Sequence, residues 1–225
     1  LHSFPTRRSS DLGPTAIVNL YRRHILPFLV DTCCGAAQTQ ELRRALLPQA
    51  RGRVLELGIG SGRNLPFYDP DQVHELVGVD PSRELWARAR TRHAAAGFPV
   101  VHHATTLDAA PIATRSIDTV VLTYTLCTLP DPVATLQALR PLLAPDARLL
   151  FCEHGLAPDP SVQRWQRRLN GLWSRLAGGC NLDRDIPGLL RSSGFIALDL
   201  TNSYLRRVPR IAGFHCWGAA APLPR

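Results

Sequence analysis

The sequence predicts an α/β domain with a seven-stranded, mostly parallel sheet, a C-terminal antiparallel hairpin and an N-terminal helical cap. Three observations carry this. Five β-rich apolar runs alternate with helical segments, the pattern of parallel strands joined by crossovers. A glycine-rich loop follows the first run at once. The last two runs leave no room for a crossover helix between them, so they should pair antiparallel.

In chain order, Ile17, Leu20, Tyr21, His24 and Ile25 recur at helical spacing before Pro27. A second helix is expected over Gln40 to Leu47, stopped by Pro48. Arg53 to Leu57 reads as a buried strand, and Gly58-Ile59-Gly60-Ser61-Gly62 follows it. Leu76 to Asp80 is the second strand and ends in an acid. Ser82 caps a helix to about Ala96, which Gly97 stops. Val100 to His102 and Asp118 to Thr123 are the third and fourth strands. Asp131-Pro132 and Asp159-Pro160 each place a cap before a proline at the first helical position. The helix opened by Asp131 runs to about Leu143, and Arg148 to Cys152 is the fifth strand. The helix opened by Asp159 carries Trp165, Leu169, Leu172, Trp173 and Leu176 on one face; Trp165 and Trp173 are expected to pack the helix, the alternative being that one lines an acceptor pocket. A short helix begins at Asp183 or Asp185 and ends near Gly194. Phe195 to Leu200 and Ile211 to Trp217 complete the sheet.

The chain has 225 residues and is 45% apolar, enough for one domain with a real core and too much for global disorder. No apolar stretch is long enough to span a bilayer as a helix. All 26 basic side chains are arginine. They are scattered rather than clustered, which favours a solvated surface over a nucleic-acid partner. Cys33, Cys34, Cys127, Cys152, Cys180 and Cys216 form no C-x-x-C pair, and no Cys/His set has zinc-ligand spacing. Free thiols in a reducing cytoplasm, and no metal, are therefore expected.

Read back through possible codons, His2 to Asp11 gives a continuous sequencing-adapter string, and Leu12 continues it. Residues 1–12 are accordingly expected to be adapter-derived and disordered, on a metagenomic fragment whose residues 13–225 form a single domain. The bland alternative is a flexible basic N-terminus.

The glycine loop lies where a parallel sheet presents its carboxyl edge. Glycines there allow a ligand close to the backbone, and their N–H groups are expected to face its negative group. Asp80 ends the next strand, where an acid can accept both hydroxyls of a ribose. Strand, loop, helix, strand and acid together read as an adenosine-type cofactor site. The dinucleotide fingerprint G-x-G-x-x-G is not met, because Arg63 stands where its third glycine belongs. Glu56, just before the loop, suits a cationic amino group better than a pyrophosphate. Both departures favour S-adenosylmethionine over NAD.

At these residues the chain resembles class I S-adenosylmethionine-dependent methyltransferases. Val54 to Gly62, Gly78 to Ser82, and Asp118 to Val121 with Leu129-Pro130-Asp131 match that family's motifs. Asn64 to Tyr68, Leu126-Cys127-Thr128, Glu153-His154 and Gly179 to Arg184 are similar to the branch of microsomal thiol S-methyltransferases and their bacterial relatives. The resemblance implies a Rossmann-like sheet of seven strands, six parallel and one reversed. It implies that Glu56, Gly58, Gly60 and Gly62 cradle the methionine part and that Asp80 takes the ribose. Pro81 and Ser82 should lie beside the adenine, with Thr106 and Leu107 as the adenine-contact pair. The family often has Asp where Thr106 stands. The Thr123 carbonyl should meet the methionine amino group. From its place on the first expected helix, Tyr21 should close over the cofactor, the alternative being a core aromatic.

Methyl transfer is an in-line displacement in which the cofactor supplies the electrophile, so no nucleophilic triad is needed. His154, just past the fifth strand, is the expected catalytic group, deprotonating or orienting the acceptor. Its alternative is a packing histidine. Cys127 and Cys180 read as bystanders, because the methyl passes directly to the acceptor. The acceptor is expected to be a small molecule, a thiol by resemblance. The rival in the same class is an N- or O-methyltransferase acting on a lipid, quinone or amine. An NAD-dependent oxidoreductase lacks its fingerprint here, a non-catalytic module would not need the loop and Asp80, and no aromatic-basic platform suggests RNA.

Overall fold

The computed structural model describes residues 20, 21 and 25–224. Residues 1–12 lie outside the described residues, as do Ile17 and His24 of the first expected helix. Chain order runs α1 (Leu26–Cys34), α2 (Ala37–Leu46), β1 (Gly52–Leu57), β2 (Val73–Val79), α3 (Arg83–Trp86), α4 (Arg90–Ala94), β3 (Val100–His103), β4 (Ile117–Thr123), α5 (Pro132–Leu139) and β5 (Leu143–His154). It continues through α6 (Pro160–Leu176), α7 (Ile186–Ser192), β6 (Phe195–Tyr204), α8 (Arg210–Gly213) and β7 (Phe214–Pro222).

All seven strands form one sheet in the order β3-β2-β1-β4-β5-β7-β6. β1 to β5 pair in parallel, and β7 runs antiparallel between β5 and β6. Six parallel strands and one reversed strand result, as the resemblance implies. Leu57 stands opposite both Val79 and Leu122, and Thr123 opposite Cys152, so β1, β2, β4 and β5 are in register at their carboxyl edge. Strand order reverses between β1 and β4, and a crevice opens at such a reversal.

Both faces of the sheet are buried along β1, β2, β4 and β5, which explains their near-continuous apolar runs. Alternation sends Leu55, Val77, Val120 and Leu149 to one core cluster and Val54, Leu76, Val121 and Leu150 to the other. Each such side chain contributes about 1.5–3 kcal/mol by burial. The rigid floor of the edge rests on these eight residues.

Some expected boundaries move. The antiparallel ladder with β7 pairs His154 with His215, so His154 is the last residue of β5 rather than a residue beyond it. The seventh strand begins at Phe214, because Arg210–Gly213 forms a helical turn after Pro209. The helix after Ser82 is broken into α3, a 3-10 turn and α4. The apolar face of α6 is not packed among the described residues. Trp165 and Leu172 are 56% and 61% exposed, and Leu169, Trp173 and Leu176 are exposed too. Helical spacing identifies an apolar face but not what covers it. No described helix is long and apolar enough to cross a membrane.

Candidate active site

The loop after β1 is tied down from several directions. Gly58 has φ +71, and a Cβ there would meet Thr125 Oγ1 at 2.5 Å. Only glycine fits between β1 and the turn that follows β4. Gly60 has φ +50 and a freer outer side, where a Cβ would meet nothing closer than 3.8 Å. The expected outward N–H groups are not found. Gly58 N donates to Val79 O, Gly60 N to Asp80 Oδ2 and Gly62 N to Ile59 O. The cradle therefore works by lacking side chains, because closing a turn this tight consumes its own donors.

Asp80 lies directly after β2 and is buried. Oδ2 accepts from Gly60 N at 2.9 Å and Oδ1 from Ser82 N at 2.7 Å. Each oxygen keeps a lone pair for a further donor. Burial raises its pKa, and the two N–H groups oppose the rise. Ser82 Oγ also accepts from Leu85 N, capping α3 as its sequence position suggests.

Glu56 is buried at the end of β1 and accepts from Tyr68 Oη at 2.6 Å and Asn64 Nδ2 at 2.9 Å. Asn64 Nδ2 also reaches Thr123 Oγ1 at 2.8 Å, and its Oδ1 accepts from Arg43 Nε at 2.7 Å. Asn64 thus links β1, β4 and α2. Burial pushes Glu56 up to about 7, against the pull of Tyr68, Arg43 and Asn64. Asp31 brings α1 onto the loop, accepting from Ser61 Oγ at 2.5 Å and Arg63 Nε at 2.7 Å. Burial works to raise the Asp31 pKa, and the Arg63 and Ser61 bonds outweigh it, leaving it lowered.

The turn after β4 hangs on one acid. Glu153 is fully buried and accepts from the N–H groups of Thr125, Leu126 and Cys127 at 2.7, 2.9 and 3.2 Å. Burial pushes it up to about 7, opposed by those donors. Tyr124 enters the turn with φ +55, uncommon for a bulky residue.

Cys127, read from sequence as a bystander, stands beside His154 and Cys180. His154 Nε2 is 2.9 Å from Cys180 Sγ, and the two sulfurs are 4.0 Å apart. Trp173 Nε1 donates to Cys180 Sγ at 3.4 Å. The Cys127 thiol and the His154 imidazole hold the Cys180 thiol down to about 4, against burial. His154 Nδ1 is buried with no hydrogen-bond partner among the described residues. His154 is thus part of a Cys–His–Cys cluster rather than a lone base. Linear spacing concealed it, because its three members come from three separate segments.

The other expected residues share this edge. Thr123 ends β4, and its carbonyl accepts from Thr125 Oγ1 at 3.2 Å. Pro81 follows Asp80 and is exposed. Thr106 and Leu107 follow β3, whose His103 carbonyl accepts from Asp80 N, so they adjoin the Asp80 turn. Leu107 packs partly on the core and Thr106 is exposed. Tyr21 donates from Oη to the Leu176 carbonyl at 2.5 Å, which ties it to the end of α6. Sequence reasoning missed Arg43, Asp31 and Glu153 as supporting residues. Asn64, Tyr68 and Glu153 lay within motifs already quoted. Arg43 was one arginine among 26 and carried no local signal.

Strand order, the glycine turn and the acid after β2 define a class I S-adenosylmethionine-dependent methyltransferase domain. The known proteins it is similar to agree. A methyltransferase-domain family model matches residues 32–197, and the chain belongs to that family. A thiol S-methyltransferase of Homo sapiens is 34% identical over 160 residues, covering 68% of this chain and 65% of that protein. Its counterpart in Rattus norvegicus is 33% identical over 136 residues, covering 59% and 55%. The chain spans less than two thirds of the length of these relatives. Among solved structures, a Leishmania major S-adenosylmethionine-dependent methyltransferase superposes with a TM-score of 0.63 at 16% identity, covering 91% of this chain and 82% of that one.

Proposed function

We propose that the chain transfers the methyl group of S-adenosylmethionine to a small-molecule thiol, with residues 13–225 acting as one domain in the cytoplasm. The observation that carries the cofactor half is the Asp80 carboxylate, fixed at the carboxyl edge by Gly60 and Ser82 beside the open side of Gly60. The residues fit the group. Glu56 offers a buried acid for the amino group, and Gly58, Gly60 and Gly62 leave room for the methionine part. Asp80 retains lone pairs for the ribose hydroxyls. Pro81, Ser82, Thr106 and Leu107 would hold the adenine, the Thr123 carbonyl would receive the amino group, and Tyr21, tied to the end of α6, would cover the cofactor.

S-adenosylmethionine, when bound, supplies an electrophilic methyl group on its sulfonium. The chain's own residues then have to position the acceptor and keep water out. A thiol is nucleophilic once ionised, so no strong base is required of the site. His154, with Cys127 and Cys180, forms the acceptor side. The relatives named thiol S-methyltransferases support the thiol, and the six free cysteines suit a reducing compartment.

The test is S-adenosylhomocysteine release from a panel of alkyl and aryl thiols, amines, phenols and a lipid. Release with thiols is expected. Release with an amine, phenol or lipid and with no thiol would replace the acceptor in this reading.

A further inference from the structure

We propose that Cys127, His154 and Cys180 bind a divalent zinc-class metal ion, and that its open position receives the sulfur of the acceptor. The second half rests on the thiol reading above; the first does not.

The three ligating atoms lie within 4.8 Å of one another. Bonds of about 2.3 Å to sulfur and 2.0–2.1 Å to nitrogen at tetrahedral angles place two sulfurs about 3.8 Å apart and sulfur and nitrogen about 3.5 Å apart. The sulfurs are 4.0 Å apart, close to that spacing. His154 Nε2, at 2.9 Å from Cys180, needs to draw back by about half an ångström to admit an ion.

The chelate is also held in shape. His154 ends β5 in register with His215 of β7. Cys127 sits in the turn that Glu153 holds through backbone N–H groups. The Cys180 loop is fastened to Cys127 by Asn181, whose N and Nδ2 both donate to the Cys127 carbonyl, at 2.8 and 3.0 Å. Asn170 fixes Asn181 in turn, at 3.1 Å. Trp173 Nε1 donates to Cys180 Sγ, the kind of outer partner that orients a metal-bound thiolate.

Two thiolates and an imidazole select a zinc-like ion over magnesium or calcium. Three protein ligands leave a fourth position, the pattern of a reactive rather than a structural site. Cys127 and His154 are buried while Cys180 is partly exposed, so access is from the Cys180 side. Cys127 follows β4 and His154 ends β5, on the edge that carries the glycine loop and Asp80. Binding the ion releases the two cysteine thiol protons to solvent and uses the neutral Nε2. An acceptor thiol entering the fourth position gives its own proton to solvent and remains as the thiolate.

The test uses the full chain, reduced and metal-free, titrated with Co²⁺ alone. A tetrahedral d–d band and sulfur-to-cobalt charge transfer should saturate at one equivalent, and Zn²⁺ should displace both. Cys180→Ser and His154→Ala should lose the saturating signal while still binding S-adenosylhomocysteine in calorimetry, which reports an intact fold. Cys33→Ser, at an exposed thiol that is not one of the three ligands, should keep it. No signal at one equivalent, or an equal signal in Cys180→Ser and His154→Ala, overturns the metal site. Adding a small alkyl thiol to the cobalt protein should shift the d–d band, and chelation should abolish thiol turnover. Undiminished thiol turnover after chelation overturns the acceptor half. A cobalt signal without turnover of any thiol sinks the thiol reading and leaves the metal site standing.

Discussion

Asp80 ties the glycine loop to the start of α3 while keeping acceptor capacity toward the ligand side. In Asp80→Asn, one of those two N–H groups would face an amide NH₂ instead of an acceptor. A buried donor left without a partner costs about 1–3 kcal/mol. The variant should bind S-adenosylhomocysteine at least about tenfold more weakly in calorimetry, since the ribose loses a charged partner as well. An unchanged dissociation constant would place the ribose elsewhere. Glu56 gives a pH signature. Its folded pKa is raised from 4.5 to about 7, so the folded chain holds this proton more tightly than the unfolded chain does. Its contribution is full below the unfolded value and is lost as pH rises through about 7. Glu56→Gln removes that loss. The difference in melting temperature between variant and parent should move in the variant's favour from pH 5 to pH 8, and a pH-independent difference would show Glu56 ionised throughout. Asp31 works in the opposite sense: its lowered pKa stabilises above 3.8, and that contribution is lost in stronger acid.

Side chains that reach backbone tie the segments of the site together. β5 supplies Glu153, which replaces the pairing that the turn after β4 cannot make for itself. Glu153→Gln removes the charge and one acceptor oxygen. Hydrogen exchange at Thr125, Leu126 and Cys127 should then speed up by roughly ten- to a hundredfold, as expected for the loss of about 1.5–3 kcal/mol from a charged acceptor. Exchange in β2 and β3 should hardly change. If the three amides keep their protection, the turn is held by Thr125 Oγ1 on Leu57 O instead. β1, β2, β4 and β5 were readable because strands buried on both faces are apolar throughout. Strand ends were blurred, because the β5–β7 ladder is a long-range pairing with no local mark. Glu56, Gly58, Gly60 and Asp80 were readable because a turn and its flanking strand ends are local. Arg43 and the Cys–His–Cys cluster were not, since contacts between distant segments leave no periodicity. The α6 face was readable as apolar, but Trp165 and Trp173, expected to pack, are exposed among the described residues.

At the scale of the whole molecule, the core on both faces of the sheet fixes the edge, and the edge fixes the site. Val120 and Leu122 lie in that core one strand away from Glu56 and Leu57. Leu122→Ala should cost about 2–5 kcal/mol of stability, read as a lower midpoint in urea. Below its own midpoint the variant should bind the cofactor product less tightly, because Thr123 and Thr125 lose their support.

The chain's own groups bond the glycine loop to Val79, Asp80 and Asp31. Such a loop has little order left to gain, and this sets a thermal signature for binding. If the site were to fold around its ligand, the enthalpy would steepen with temperature as 1,000 Å² or more of surface left water. A preformed crevice covers only the ligand itself, on the order of a few hundred Å² of apolar surface at about 0.45 cal/mol/K per Å². Calorimetric titration with S-adenosylhomocysteine between 10 and 35 °C should give a heat-capacity change of about −0.1 to −0.2 kcal/mol/K. A value several times more negative would mean that the loop melts when the site is empty, and that the bonds around Asp80 are made together with the ligand.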